Sequence, residues 1–164
     1  MFTALHSDVP FAIRYPRGCG RGTEWLDTPF EAIEIGKARK VREGKDAAVF
    51  AFGPLLADCE KAAEQAEMIG VSTAVYDMRF AKPLDKELIL EVGNKFKRIV
   101  TIEDGILRGG AGEAVIKLLN DNHISTPVTT LGIDDKFVEQ GTPAQLYAEC
   151  GYDEEALVAT LETL

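Results

Sequence analysis

The chain is poor in the residues that build metal clusters and disulfide scaffolds. Its 164 residues hold three cysteines, Cys19, Cys59 and Cys150, and two histidines, His6 and His123. The cysteines are too few and too scattered for a disulfide framework or a zinc knuckle. With the histidines far apart and no carboxylates clustered at ligand spacing, a histidine metal site or a Ser-His-Asp triad is not expected; carboxylate-only Mg²⁺ sites stay open. No apolar run approaches the ~20 residues that span a bilayer, and no basic-then-apolar leader opens the sequence. Positive charge is also scarce. Eighteen Lys and Arg stand against 27 Asp and Glu, for a net −9. A surface for nucleic acid or anionic lipid needs clustered cations, so neither partner is expected; with no bilayer-spanning run and no leader, a cytoplasmic location is expected. What is present is a core: 46% of the residues are apolar, too many for a disordered chain and enough for one ordinary domain.

The charge is unevenly placed. From Arg14 to Arg42 seven basic residues face four acidic ones, a local +3, whereas from Glu43 onward eleven face twenty-two, a local −11. Anion chemistry therefore belongs near the N-terminus.

Residues 1–20 read as the tail of a preceding domain. Thr3–Ser7 resembles a helix end, and Pro10–Tyr15 a short strand entered through a proline. Residues 21–30 read as linker after the glycines at 18, 20 and 22. Residues 31–164 then alternate strand and helix. An edge strand is expected within Ile33–Arg42, and a strand covered on both faces at Ala47–Phe52. Helices are expected at Leu55–Ile69, Asp85–Val92 and from Gly109 to about Asn120, and strands at Val71–Met78, Arg98–Ile102 and Pro127–Ile133. Two short helices follow, near Pro143–Glu149 and Asp153–Leu164. This alternation predicts an α/β fold: a three-layer α/β/α domain on a five-stranded, mostly parallel mixed sheet with right-handed crossovers.

Four features bear on chemistry. In Arg14-Tyr15-Pro16-Arg17-Gly18 the proline fixes the approach of Arg17, whose guanidinium suits either a phosphate or a structural carboxylate. Gly109-Gly110-Ala111-Gly112 opens a helix; it suits an anion at the helix N-terminus or close packing of helix on strand, and its spacing is wrong for a dinucleotide fingerprint. Asp77-Met78-Arg79-Phe80 and Thr101-Ile102-Glu103-Asp104-Gly105 fall at strand ends, where acids serve as general acid or base or cap helices and tie loops. Cys19, between Arg17 and Arg21, has either a lowered thiol pKa or no role.

Taken in order, Ala12-Ile13-Arg14-Tyr15-Pro16-Arg17-Gly18, Ile35-Gly36-Lys37, Asp77-Met78-Arg79-Phe80 with Lys82-Pro83-Leu84-Asp85, Thr101–Gly105 with Gly109–Gly112, and Leu131-Gly132-Ile133 with Phe137 and Gln140-Gly141 make a series. Over essentially the whole chain it resembles the C-terminal part of the 1-deoxy-D-xylulose-5-phosphate synthases, thiamine-diphosphate enzymes of the transketolase family. D-M-R-F-x-K-P-L-D is the most specific element. The resemblance implies a transketolase C-terminal domain over 31–164, preceded by the end of a pyrimidine-binding domain. It implies a homodimeric enzyme that joins decarboxylated pyruvate to glyceraldehyde 3-phosphate for isoprenoid, thiamine and pyridoxal biosynthesis, with Arg17 on the substrate phosphate. It also implies that thiamine diphosphate and Mg²⁺ serve the full-length enzyme only: the Gly-Asp-Gly…Asn diphosphate site is missing here, so no catalytic, cofactor or metal residue is expected in this chain. One departure is Asp134-Asp135, where many relatives have Pro-Asp. Two other readings are a non-catalytic dimerisation or regulatory domain and the C-terminal domain of a 2-oxo acid dehydrogenase β subunit.

Overall fold

A computed structural model describes residues 1–16 and 27–163. Its elements run α1 (Phe2–Leu5), β1 (Arg39–Arg42), β2 (Ala47–Phe52), α2 (Leu56–Met68), β3 (Thr73–Asp77), α3 (Lys86–Lys95), β4 (Arg98–Ile106), α4 (Ala111–Asp121), β5 (Val128–Ile133), α5 (Pro143–Cys150) and α6 (Glu154–Glu162). The five strands form one sheet in the order β1-β3-β2-β4-β5. All neighbours are parallel except β1, which runs antiparallel to β3. The mixed α/β/α fold expected from the sequence is therefore the fold observed.

The central strand shows why. All six residues of Ala47-Ala48-Val49-Phe50-Ala51-Phe52 are buried. Successive side chains of a strand point to opposite faces. Thus Ala47, Val49 and Ala51 join the core under α2 and α6, with Leu157 and Leu161. Ala48, Phe50 and Phe52 join the core under α3 and α4, where Phe50 meets Tyr76 edge-on at 5.6 Å. On its buried side α2 offers only Cys59, Ala62, Ala63 and Ala66, small groups that let it lie close on the sheet.

Two expectations fail. Pro10–Tyr15 joins no ladder; it is extended chain without a strand partner. An apolar run becomes a strand only where another strand offers its N–H and C=O groups, and none lies beside it among the described residues. The edge strand is also shorter than expected. It begins at Arg39, because the chain turns at Gly36 (φ +75), where a Cβ would come within 2.8 Å of Pro83 Cγ. The expected strand Arg98–Ile102, by contrast, continues to Ile106. After a register shift between Ile102 and Ile106 it pairs again with Ile133, drawing Glu103-Asp104-Gly105 into the sheet.

Candidate functional site

The carboxyl ends of the parallel strands bring together most of the motif residues, and the structure gives each strand-end acid a local task. Glu103, buried within β4 and three residues before its end, grips the start of α4 with both oxygens: the Ala111 and Gly112 N–H groups each donate to it at 2.9 Å. The Gly109 N–H donates to Glu113 at 2.8 Å and the Gly110 N–H to the Leu107 carbonyl at 3.0 Å. The N–H groups that a glycine-rich helix start offers to an anion are thus taken by the chain's own acceptors, two carboxylates and one carbonyl. Glycine is required for the fit. A Cβ on Gly112 would lie 2.6 Å from Thr101 Oγ1, and one on Gly110 2.5 Å from Glu103 Oε1. Of the two readings of Gly109–Gly112, close packing on the strand is the one realised.

Asp104 accepts a hydrogen bond at 3.1 Å from the hydroxyl of Tyr152, which is buried between α5 and α6. Burial, then the nearby Asp104 charge, pushes the Tyr152 phenol well above its ordinary pKa. Sequence reasoning missed this tie; its one signal is Gly151-Tyr152-Asp153, an aromatic set between a helix stop and a helix cap. Asp77 pairs with Arg39 at 3.0 Å across β1 and β3. Asp85 caps α3 through the Leu88 N–H at 3.2 Å and accepts the Ala38 N–H at 3.0 Å, with the Lys37 ammonium 3.7 Å away. Lys37 reaches on to Glu87 at 2.6 Å, and that hydrogen bond raises its pKa. With Gly36 seated on Pro83, the Ile35-Gly36-Lys37 and Lys82–Asp85 motifs therefore close on each other as one joint. The acids of these motifs hold loops and helix ends in place.

Two basic residues in the same stretch have no such task among the described residues. Arg79, at the end of β3, sits at φ +54, left-handed and not glycine. Lys82 precedes a cis peptide to Pro83. Arg17 and Cys19 lie outside the described residues. Arg14, three residues before Arg17, places a guanidinium nitrogen 3.1 Å from where a Cβ on Gly105 would be, beside Glu103. No described helix is long and apolar enough to cross a membrane.

A three-layer domain with a 2-1-type parallel centre and an antiparallel edge is the class that fold and strand-end joints define, and comparison with known proteins resolves it. Residues 36–157 match the family described as "Transketolase, C-terminal domain", and the chain belongs to that family. Among curated relatives it is 46% identical over 163 residues to a 1-deoxy-D-xylulose-5-phosphate synthase of Phocaeicola vulgatus, covering 98% of this chain and 26% of that protein. It is 48% identical over 159 residues to the synthase of Bacteroides fragilis, covering 96% of this chain and 24% of that protein. The chain thus spans about a quarter of the length of these relatives. A solved structure titled "Split gene transketolase, inactive beta4 tetramer" superimposes with a TM-score of 0.75 at 32% identity, over 81% of this chain and 43% of that one.

Among the described residues no group of three or more His, Cys, Asp or Glu is placed to hold a metal ion. The one glycine-rich helix start has its N–H groups taken by Glu103, Glu113 and the Leu107 carbonyl.

Proposed function

We propose that this chain is the C-terminal domain of a 1-deoxy-D-xylulose-5-phosphate synthase. In the whole protein, a cytoplasmic homodimer, pyruvate is decarboxylated and joined to glyceraldehyde 3-phosphate, while thiamine diphosphate and Mg²⁺ bind in preceding domains. The observation that carries this reading is the span of the likeness: the synthases match 98% and 96% of the chain, the Arg14–Gly18 motif included. The structure supports it in two ways. The acids at the strand ends are engaged in holding the domain together, which suits a domain that frames a site supplied elsewhere. Apolar side chains of the N-terminal stretch, such as Leu5, Tyr15 and Phe30, are exposed, as expected of a surface that a preceding domain covers.

In this reading Arg17 holds the dianionic phosphate of glyceraldehyde 3-phosphate, remote from the reacting aldehyde, with two parallel hydrogen bonds. Losing such a pair costs roughly 1.5–3 kcal/mol, or about 10- to 150-fold in affinity. The test is Arg17→Ala in the protein carrying the preceding domains. KM for glyceraldehyde 3-phosphate should rise by that factor, while pyruvate decarboxylation and turnover of unphosphorylated D-glyceraldehyde change little. Arg17→Lys should recover part of the loss. Equal damage with both aldehydes would make Arg17 a structural tether, and condensation by the 164-residue chain alone would overturn the placement of the cofactor site.

A further inference from the structure

Between the N-terminal stretch and the β3–α3 loop lies a groove of about 680 Å³. One wall is Val9–Arg14 and the other Arg79–Pro83, with Ile33 and Ile35 between them. Arg14, Arg79 and Lys82 all line it, and none of its described lining residues is acidic. That is unexpected in a chain with 27 acidic residues against 18 basic ones. The neighbouring cations outside the groove, Lys37 and Arg39, both have carboxylate partners. The three inside form no ion pair or hydrogen bond among the described residues. One of them, Arg79, is kept in a left-handed conformation that other residues than glycine rarely adopt, and such strain persists mainly where function requires it.

We propose that this groove binds an organic phosphate, its anionic head held by Arg79 and Lys82 and its apolar body laid against Val9, Phe11, Ile33 and Phe80. A guanidinium and an ammonium suit a dianion, with the fork fixing oxygen positions and the lysine adding a point charge. The walls expose apolar surface that such a body would cover. The same walls select against compact, fully hydrated anions. Glyceraldehyde 3-phosphate has no apolar body to place there, so the proposal stands apart from the role given to Arg17.

The experiment titrates the 164-residue chain, labelled for amide NMR, with phenyl phosphate, inorganic phosphate and benzyl alcohol. Phenyl phosphate should shift the amides of Val9–Arg14 and Arg79–Lys82, at least tenfold more tightly than inorganic phosphate, and benzyl alcohol should leave them unmoved. Arg79→Gly removes the cation and suits the positive φ, so it should keep or raise the melting temperature while weakening phenyl phosphate at least tenfold. Lys82→Ala should weaken it several-fold. Equal affinity for the two phosphates, shifts confined to other residues, or unchanged binding by Arg79→Gly would each overturn the proposal. Calorimetry on the protein with its preceding domains completes the test. Retained, Arg79-dependent binding of phenyl phosphate supports the site; loss of binding there means protein carboxylates pair these cations, and the proposal falls.

Discussion

Phe50 and Phe30 carry the same side chain in opposite surroundings. Phe50 is wholly buried in the central strand, and Phe30 is 70% exposed. The contrast extends to the stretches around them. From β2 to α6 most of the large apolar residues pack into two cores, one on each face of the sheet, with Met68, Ile69, Ile106 and Phe137 left exposed. Before Gly36, Met1, Leu5, Val9, Ile13, Tyr15, Ile33 and Ile35 are exposed as well. The N-terminal stretch is held by local ties: the Ile33 N–H donates to the Thr3 hydroxyl at 2.9 Å, and Phe2 stacks on Phe30 with centroids 6.2 Å apart. Apolar content is similar in the two regions. What separates them is a sheet that lets side chains be covered from both faces, and burial follows from having that second layer.

Denaturation experiments can break this comparison. Phe50→Ala should cost about 3–5 kcal/mol, because the cavity opens where neither layer can collapse; a loss near that of a surface change would mean the sheet is loosely packed. Glu103→Ala leaves two helix N–H groups of α4 without their charged acceptor and should cost roughly 1.5–3 kcal/mol in the same urea titrations.

The next effect depends on pH. Burial pushes the Cys59 thiol up to about 12 from an ordinary 9.0. Below that ordinary value the thiol is protonated in both folded and unfolded chains, so its contribution is complete. Above it the unfolded chain ionises first, and stability is lost as pH rises toward 12, by about 1.4 kcal/mol per pH unit. Cys59→Ala should flatten that slope relative to the parent between pH 9 and 11; parallel slopes would show that the thiol ionises without unfolding. Smallest of all, Ile13→Ala should change stability by less than about 0.5 kcal/mol, the range of surface substitutions. A loss of 2 kcal/mol or more would show that the N-terminal stretch shares the body's core.

The body was legible because its strands and helices carry their own periodicity. The six-residue run of β2 and the Pro143–Cys150 helix, with its Thr142 and Gln145 capping box, can be read from sequence with no knowledge of neighbours. What was not legible depended on partners distant in sequence. Pro10–Tyr15 has strand composition but no strand to pair with, and Glu103-Asp104-Gly105 has loop composition but lies in β4 because Ile106 meets Ile133. At the candidate site, helix capping by strand-end acids was foreseeable in kind. The tie from Asp104 to Tyr152, 48 residues away, was not, nor was the convergence of Arg14 with Arg79 and Lys82 on one groove.

The strand order has a consequence for how the chain assembles as it is synthesised. β1 emerges first, yet its partner is β3, and Arg39 must wait for Asp77 before it can pair. β2, α2 and β3 form a parallel crossover unit that can close as soon as Asp77 is available, since Ala47–Ala51 and Thr73–Asp77 need nothing later. β4 and then β5 add outward on the other side of β2. Growth therefore proceeds from the middle of the sheet, with short loop closures first. The face of β2 bearing Val49 is covered in part by α2, through Cys59, Ala62, Ala63 and Ala66, and the cover is completed when the last helix brings Leu157 and Leu161. A nascent chain stalled before α6 would leave the part of this core that Leu157 and Leu161 cover open to solvent, which makes the docking of α6 the step that seals it.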